Sequence, residues 1–262
     1  FDRPDIVVDL PKDLKEISGL APWRTNDEVL AVQDEDGILF VLNTNTGKVQ
    51  QKISFGKDRD YEGVARSGNN IYVLERDGDI HHTTYSDGEK DFKAEKLETS
   101  FSYRNDTEGI GFDPVSGYLL IVPKEQELNP TDEEKYRHGI YGFSLANSTL
   151  APQPLFYVDE LEVGGAIYGK TARYSFKPSG VAVDPITKDI YVLASVGKIL
   201  IVIGRESEIK HIELLKEKVF RQPEGIAFNE NGDLFLSSEG KSKKGIVATF
   251  KRNTTQLKGK KE

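Results

Sequence analysis

The sequence predicts an all-β protein, a five-bladed β-propeller made of four-stranded antiparallel blades. A phrase that occurs five times supports this prediction, together with the repeated order of strands and turns that follows each copy. In each copy, Glu or Ser precedes a Gly at the start of a short apolar segment. The copies are SGLA from Ser18, EGVA from Glu62, EGIG from Glu108, SGVA from Ser179 and EGIA from Glu224.

The spacing of the phrase indicates blades rather than another kind of repeat. Its glycines, at positions 19, 63, 109, 180 and 225, are 44, 46, 71 and 45 residues apart. Three of these spacings are nearly equal, and the long one fits a single blade enlarged by an insertion. A period of roughly 40–50 residues built from short strands is typical of propellers.

Each repeat contains the elements of an antiparallel meander. The apolar segment is followed by a turn, a strongly apolar second strand, a polar hairpin, a third strand and a more polar fourth strand. We therefore assign one domain to the whole chain, residues 1–262. Its predicted blades are residues 11–56, 57–101, 102–159, 174–216 and 220–252.

The fifth repeat ends after its third strand, and the N-terminal segment 5–10 is the available partner. We expect it to pair with residues 245–251, which would close the ring and cover two strand edges. The enlarged repeat contains an acidic insertion, residues 125–138, with one helical turn expected after Thr131. Residues 161–176 are predicted to form an ordered loop, and the basic tail 251–262 is predicted to be frayed.

Composition excludes several kinds of protein. The chain has 43 acidic and 35 basic residues, a net charge of −8, and this acidity disfavours nucleic acid as a partner. It contains no cysteine, which excludes disulfides and thiolate metal sites and is compatible with export. No apolar run approaches the ~20 residues that span a membrane. We expect a monomer.

The repeated phrase also predicts a candidate metal site. The first strand of each propeller blade lies nearest the axis, so Ser18, Glu62, Glu108, Ser179 and Glu224 are expected around one end of the channel. Two carboxylates ~5 Å apart repel by roughly 3 kcal/mol at an effective dielectric near 20. Either raised pKa values or a bound cation would relieve this repulsion. Oxygen ligands suit Ca²⁺, so Glu62, Glu108 and Glu224 are the predicted calcium ligands.

Other residues are predicted to surround this site and bind a ligand. The hairpins after the second strands place Asp34, Glu75, Lys124, Ser195 and Glu239 in a wider ring on the same face. Arg104, Arg173 and Arg221, with Lys177, precede the repeated phrases and are candidate ligand-binding or neutralising residues. The four histidines are expected away from this face, with His81 and His82 in strand packing, and Trp23 is expected between blades.

A structural interpretation of the repeated Glu remains open beside the metal site. Each Glu could accept hydrogen bonds from backbone amides of the neighbouring blade, and Ser would serve equally well at positions 18 and 179. The Gly after it has a separate reason, because it permits close backbone approach where five strands meet.

Several phrases resemble one known family. LKEISGLA, DRDYEGVA, NIYVLERDGDI, NDTEGIGFDP and FKPSGVAVDP together resemble the SdiA-regulated family of bacterial envelope propellers, from about residue 10 to 250. More distantly, the Glu-Gly entry is similar to phytase-like, NHL-repeat and gluconolactonase-type propellers. The resemblance implies the propeller fold and an exported protein, periplasmic or in the cell envelope, with a membrane anchor outside this sequence. The distant families imply calcium at the channel mouth.

Three functions are consistent with these features. The first is a propeller that binds calcium, and a small ligand, at the channel mouth. The second is a metal-assisted esterase or phosphoesterase in which Lys124 or an Arg holds the negative charge of the substrate. The third is an interaction module whose acidic insertion binds an envelope protein.

Overall fold

The computed structural model describes residues 3–88, 90–131 and 134–252. Five antiparallel sheets form the blades of a propeller, as the sequence predicts. In blades 1, 2 and 4 the strands follow one another in sequence order from the innermost to the outermost, whereas blade 3 has an additional outer strand and blade 5 takes its outermost strand from the N-terminus. This order follows from the short hairpins that join neighbouring strands.

The innermost strands carry the repeated phrase. Blade 1 comprises β2–β5, with bounds Ile17–Pro22, Glu28–Gln33, Ile38–Asn43 and Val49–Ser54. Blade 2 comprises β6–β9, with bounds Tyr61–Ser67, Asn70–Glu75, Ile80–Thr84 and Glu95–Leu97. Blade 3 comprises β10–β14, with bounds Thr107–Asp113, Tyr118–Pro123, Arg137–Ser144, Thr149–Leu150 and Phe156–Asp159. Both β13 and β14 pair with β12, so two short strands share the outer edge of this blade.

The remaining strands complete the ring. Blade 4 comprises β15–β18, with bounds Lys177–Val183, Ile190–Val196, Ile199–Ile203 and Ile209–Leu214. Blade 5 comprises β19–β21, with bounds Pro223–Phe228, Leu234–Ser238 and Ile246–Phe250, and its fourth strand is β1, Ile6–Asp9. Ile6 is opposite Thr249 and Asp9 is opposite Ile246, which confirms the predicted closure by the N-terminal strand.

The glycines of the repeated phrase pack backbone against backbone around the axis. A Cβ atom on Gly19 would lie 2.6 Å from the Cα of Gly63. A Cβ atom on Gly109 would lie 2.7 Å from the Cα of Gly180. Such distances are far below van der Waals contact, so only Gly allows adjacent inner strands to approach this closely.

Ion pairs between neighbouring blades reinforce the apolar packing between the sheets. Asp113 and Asp184 occupy the same place in the turns that follow β10 and β15. Arg205 Nη2 lies 2.6 Å from Asp113 Oδ2, and Arg252 Nη1 lies 2.9 Å from both carboxylate oxygens of Asp184. Both aspartates are buried, so each arginine neutralises a desolvated charge on the blade before its own.

The prediction of a loop for residues 161–176 is wrong over the first half of that segment. Glu160–Tyr168 form α1, the one α-helix in the described ranges. The side chain of Asp159 accepts hydrogen bonds from the backbone of Leu161 and Glu162, and Gly169 ends the helix in the left-handed conformation. This helix is too short to span a membrane, and no described helix is long and apolar enough to do so.

The insertion in blade 3 follows β11, as predicted, but its last two predicted residues, Arg137 and His138, already belong to β12. The expected helical turn after Thr131 involves residues 132 and 133, which lie outside the described residues. Residues 253–262 of the predicted frayed tail also lie outside them.

Candidate functional site

A β-bulge places the repeated Glu or Ser at the entrance of each inner strand. In blade 2, Tyr61 is opposite Glu75 and Gly63 is opposite Leu74, so Glu62 is an extra residue with no partner on β7. The register shifts in the same way in the other four blades. Bulges turn a side chain away from the regular alternation of the strand. The bulge therefore explains how a carboxylate occurs on an otherwise apolar strand.

These bulges bring the three glutamates together. Glu62, Glu108 and Glu224, with Ser179, line one small cavity at this end of the channel. Ser18 is buried at the equivalent bulge of blade 1, and its neighbour Gly19 lines the cavity. The hydroxyl of Ser179 donates to the carbonyl oxygen of Pro223 at 2.8 Å, an inter-blade contact of the kind that the structural interpretation expects.

One lysine neutralises this group of carboxyls. The ammonium of Lys124, in the hairpin after β11, forms an ion pair with Glu108. Glu224 has no such neutralising ion pair within the described residues, and its Oε2 is buried without a hydrogen-bond partner. A buried carboxylate oxygen with no partner is energetically costly unless the carboxyl is protonated or a ligand binds to it.

Burial and mutual repulsion raise the pKa values of these groups. Burial, followed by repulsion from Glu108, raises the pKa of Glu62 from 4.5 to about 8. Burial also raises the pKa of Glu224 well above 4.5, with further repulsion from Glu108 and Glu239. The pKa of Glu108 is raised by burial although Lys124 opposes the effect. At neutral pH the site therefore holds protons that a cation could displace.

Two residues of the predicted wider ring join this electrostatic cluster. Burial, and then repulsion from Glu16, raises the pKa of Asp34 from 3.8 to about 6. Burial, and then repulsion from Asp34, raises the pKa of Glu239 from 4.5 to about 7. The Oδ1 atom of Asp34 is also buried without a partner. We call Glu62, Glu108, Glu224, Asp34 and Glu239 the carboxyl cluster.

Glu75 does not belong to this cluster. It is buried, and Arg59 Nη1 at 2.9 Å and His81 Nε2 at 2.8 Å bind its two carboxylate oxygens. The strand register explains the difference: Glu75 is the last residue of β7, and Arg76 occupies the hairpin position that Lys124 occupies in blade 3. His81, assigned from the sequence to strand packing, thus also holds a buried carboxylate.

Within the described residues, none of the three predicted arginines forms an ion pair with the carboxyl cluster. Arg173 forms an ion pair with Glu160 at the start of α1, and Arg104 is exposed. Arg221 is partly buried just before β19. The structure does not bring these arginines together, and Ser195 lies within β16 rather than in a hairpin.

Sequence reasoning missed a second charged pair beside the cluster. Arg76 Nε lies 2.5 Å from Asp106 Oδ1, and Asp106 adds to the repulsion on Glu62 and Glu108. Asp106 has a positive φ of 53°, a conformation that Asp tolerates better than most residues. The aspartate two residues before the Glu in both DYEG and DTEG was the available signal.

The side chains are not already arranged as a metal shell. Across residues 3–88, 90–131 and 134–252, no group of three or more Asp, Glu or His side chains has the geometry to hold a metal ion. A cation at the carboxyl cluster would therefore require some of these side chains to rotate and Lys124 to leave Glu108.

Comparison with known proteins establishes the family. A model of the SdiA-regulated family matches residues 7–241. The chain belongs to the SdiA-regulated family. No curated protein matches its sequence.

Solved structures resemble this SdiA-regulated propeller over its whole length at low sequence identity. Glutaminyl cyclase from Myxococcus xanthus has 11% identity and a TM-score of 0.62, with 95% of each chain covered. The PQQ-bound aldose sugar dehydrogenase from Streptomyces coelicolor has 14% identity and a TM-score of 0.60, covering 94% of this chain and 97% of that one. A luciferin-regenerating enzyme has 13% identity and a TM-score of 0.57, with 96% of each chain covered. These similarities concern the fold alone.

Proposed function

We propose that this protein is a binding propeller that takes a divalent cation, calcium, at the carboxyl cluster. The observation that carries the proposal is the imbalance of charge at the channel mouth. Within the described residues the carboxyl cluster forms one ion pair, between Lys124 and Glu108, and two of its buried oxygens, Glu224 Oε2 and Asp34 Oδ1, have no hydrogen-bond partner. A cation bound beside Glu62, Glu108 and Glu224 would give Glu224 Oε2 a partner and relieve the repulsion that raises the pKa values.

The donor set favours calcium over other divalent cations. The charged side chains of the site are carboxylates, whose oxygens suit hard cations, and the protein has no thiolate to offer. The oxygens lie on separate strands and in a hairpin, so the shell would be irregular. Calcium tolerates irregular shells of six to eight oxygens, whereas magnesium requires a near-octahedral arrangement.

Calcium binding at this cluster would release protons. Because Glu62 and Glu239 have pKa values near 8 and 7, a cation that binds their ionised forms must displace protons at neutral pH. Calcium must also compete with Lys124 for Glu108. Affinity should therefore rise between pH 6 and pH 8.5, and removal of the Lys124 ammonium should strengthen binding.

Calorimetric titration with Ca²⁺ at pH 8, in two buffers of different ionisation enthalpy, tests the proposal. We expect binding with proton release, weaker binding for Glu224→Gln and tighter binding for Lys124→Met. The matched control is Glu98→Gln, which removes an exposed carboxylate on the outer edge of blade 2. The absence of both heat and a calcium-dependent shift in melting temperature at millimolar Ca²⁺ would refute the calcium site and favour the structural interpretation of the cluster.

A further inference from the structure

A larger cavity opens at the opposite end of the channel from the carboxyl cluster. Its volume is about 320 Å³, within the size range of small-molecule sites. Five apolar residues line both this cavity and the small one at the carboxyl cluster: Leu20, Val64, Ile110, Val181 and Ile226. Each follows the Gly of its repeat and is almost fully buried, so together they separate the two ends of the channel.

The walls of this cavity are mainly apolar. Trp23, Phe112 and Phe228 provide aromatic surface, and Pro114 and Pro185 stand at the rim. The residues that follow these prolines, Val115 and Ile186, are 57% and 47% exposed.

Arg66 is a cation within this apolar surface. It lies on β6, its Cζ is 4.9 Å from the centre of the Trp23 ring, and its Nη1 donates to the carbonyl oxygen of Trp23 at 2.7 Å. Its Nε atom is buried and has no hydrogen-bond partner. Within the described residues Arg66 forms no ion pair, although Glu230 lines the same cavity.

The two neighbouring arginines have different surroundings. Arg24 also lies over Trp23, with its Cζ 5.6 Å from the ring centre, but it forms an ion pair with Asp87 and does not line the cavity. Burial, and then the positive charge of Arg24, lower the pKa of Arg66. A cation that has lost water, lacks an anionic partner and faces a cavity is a recognition group for an anion.

We propose that this cavity binds a small amphipathic carboxylate, with the carboxylate on Arg66 and the apolar body along Trp23, Phe112 and Phe228. The Arg66 guanidinium provides the donors for the carboxylate, and a rotation of the side chain is needed to bring the buried, unpaired Nε to the ligand. A volume of about 320 Å³ accommodates a body on the order of ten to fifteen non-hydrogen atoms. This site does not depend on the proposed calcium site, because the ring of five apolar residues lies between them.

A purely structural role for Arg66 predicts something different. The bond to the carbonyl of Trp23 joins blade 2 to blade 1, so Arg66 could serve only as a clasp between blades. That role uses Nη1 and leaves Nε without function, although burying an unpaired donor costs stability. Ligand binding therefore has to be measured separately from stability.

The intrinsic fluorescence of Trp23 provides a direct assay, because it is the sole tryptophan of the chain. Octanoate is the probe, and octanol, of the same length, is the neutral comparison. We expect saturable octanoate binding at least about tenfold tighter than octanol binding, since a charge-assisted hydrogen bond is lost in the alcohol. Arg66→Met should remove this preference, and Arg24→Met should keep it.

Each outcome bears on the proposal. Equal affinities for octanoate and octanol, or no saturable change with either, would overturn it. If Arg66→Met and Arg24→Met lost the preference for octanoate equally, the effect would come from the packing around Trp23, and the proposal would be overturned as well. If Arg66→Met fails to fold, the octanoate-to-octanol ratio of the unmodified protein decides, together with Arg66→Lys, which retains the charge.

Discussion

The carboxyl cluster makes the protein less stable as the pH rises, and Glu62→Gln should reduce that loss. The pKa of Glu62 is about 8 in the folded protein and 4.5 in the unfolded chain. Between these values the folded state binds more protons than the unfolded state, so the free energy of unfolding falls as pH increases. The loss is complete above pH 8 and absent below pH 4.5.

The magnitude follows from the two pKa values. Each pH unit of this interval corresponds to about 1.4 kcal/mol, so one group that titrates from 4.5 to about 8 removes about 3 kcal/mol between pH 5.5 and pH 8.5. Gln has nearly the same shape and no charge, so Glu62→Gln should remove this contribution. The other four members of the carboxyl cluster also have raised pKa values, so the variant should keep a smaller decline of its own.

Urea denaturation at pH 5.5, 7.0 and 8.5, with chelator present to exclude metal ions, measures this difference. Over this pH range the free energy of unfolding should fall by about 3 kcal/mol more in the unmodified protein than in Glu62→Gln. The control Glu98→Gln should retain the full decline, because Glu98 is exposed. Equal declines in the unmodified protein and Glu62→Gln would refute the assignment of the raised pKa to Glu62.

Three further predictions concern the fold. Gly109→Ala should destabilise the protein by about 2–4 kcal/mol in urea denaturation, because the new Cβ atom would lie 2.7 Å from the Cα of Gly180. The control Gly165→Ala, in α1, should be neutral or slightly stabilising. Removal of residues 1–10 should lower the melting temperature by at least about 5 °C, because β21 keeps β20 but loses its outer partner β1. An unchanged melting temperature would contradict closure of the ring by β1. Burial acts to raise the pKa of Glu160, but hydrogen bonds from His138 and Arg173 outweigh it and lower this pKa to about 2. The stability that the ionised Glu160 adds is therefore present above pH 4.5 and is lost as the pH falls towards 2. Glu160→Gln should therefore lose about 2 kcal/mol at pH 7, and the exposed Glu162→Gln should not.

The repeated phrase was sufficient to predict the architecture because one physical constraint acts five times. Each inner strand needs a Gly where the strands crowd together, and each is followed by the same turn and apolar strand. The count of five and the shared last blade follow from this repetition. The helix α1 could not be predicted in this way. Gly164 disfavours a helix by its intrinsic propensity. The tertiary structure nevertheless requires Gly at this position, because a Cβ atom would lie 1.8 Å from the carbonyl oxygen of Ala172.

The candidate site could be predicted only in part. The spacing of the repeats predicts that Glu62, Glu108 and Glu224 lie at one end of the channel. It does not predict which residue of each hairpin points towards them, so Glu75 was assigned to the position that Arg76 occupies in the structure. The bulge that makes the glutamate an extra residue leaves no signal in the sequence beyond the Gly. Arg173 binds Glu160 instead of the carboxyl cluster, and Glu160 belongs to a helix that the sequence did not predict.

The two proposed sites lie at opposite ends of the same strand and should influence one another only weakly. Glu62 and Arg66 are four residues apart on β6, about 13 Å at the rise of an extended strand. Two unit charges at that distance interact by about 1.3 kcal/mol at an effective dielectric of 20 and by about 0.3 kcal/mol in water. Saturating calcium should therefore change the affinity for octanoate by less than about tenfold. A larger change would mean that the ring of five apolar residues moves when the carboxyl cluster is occupied, and the blades could then no longer be treated as fixed.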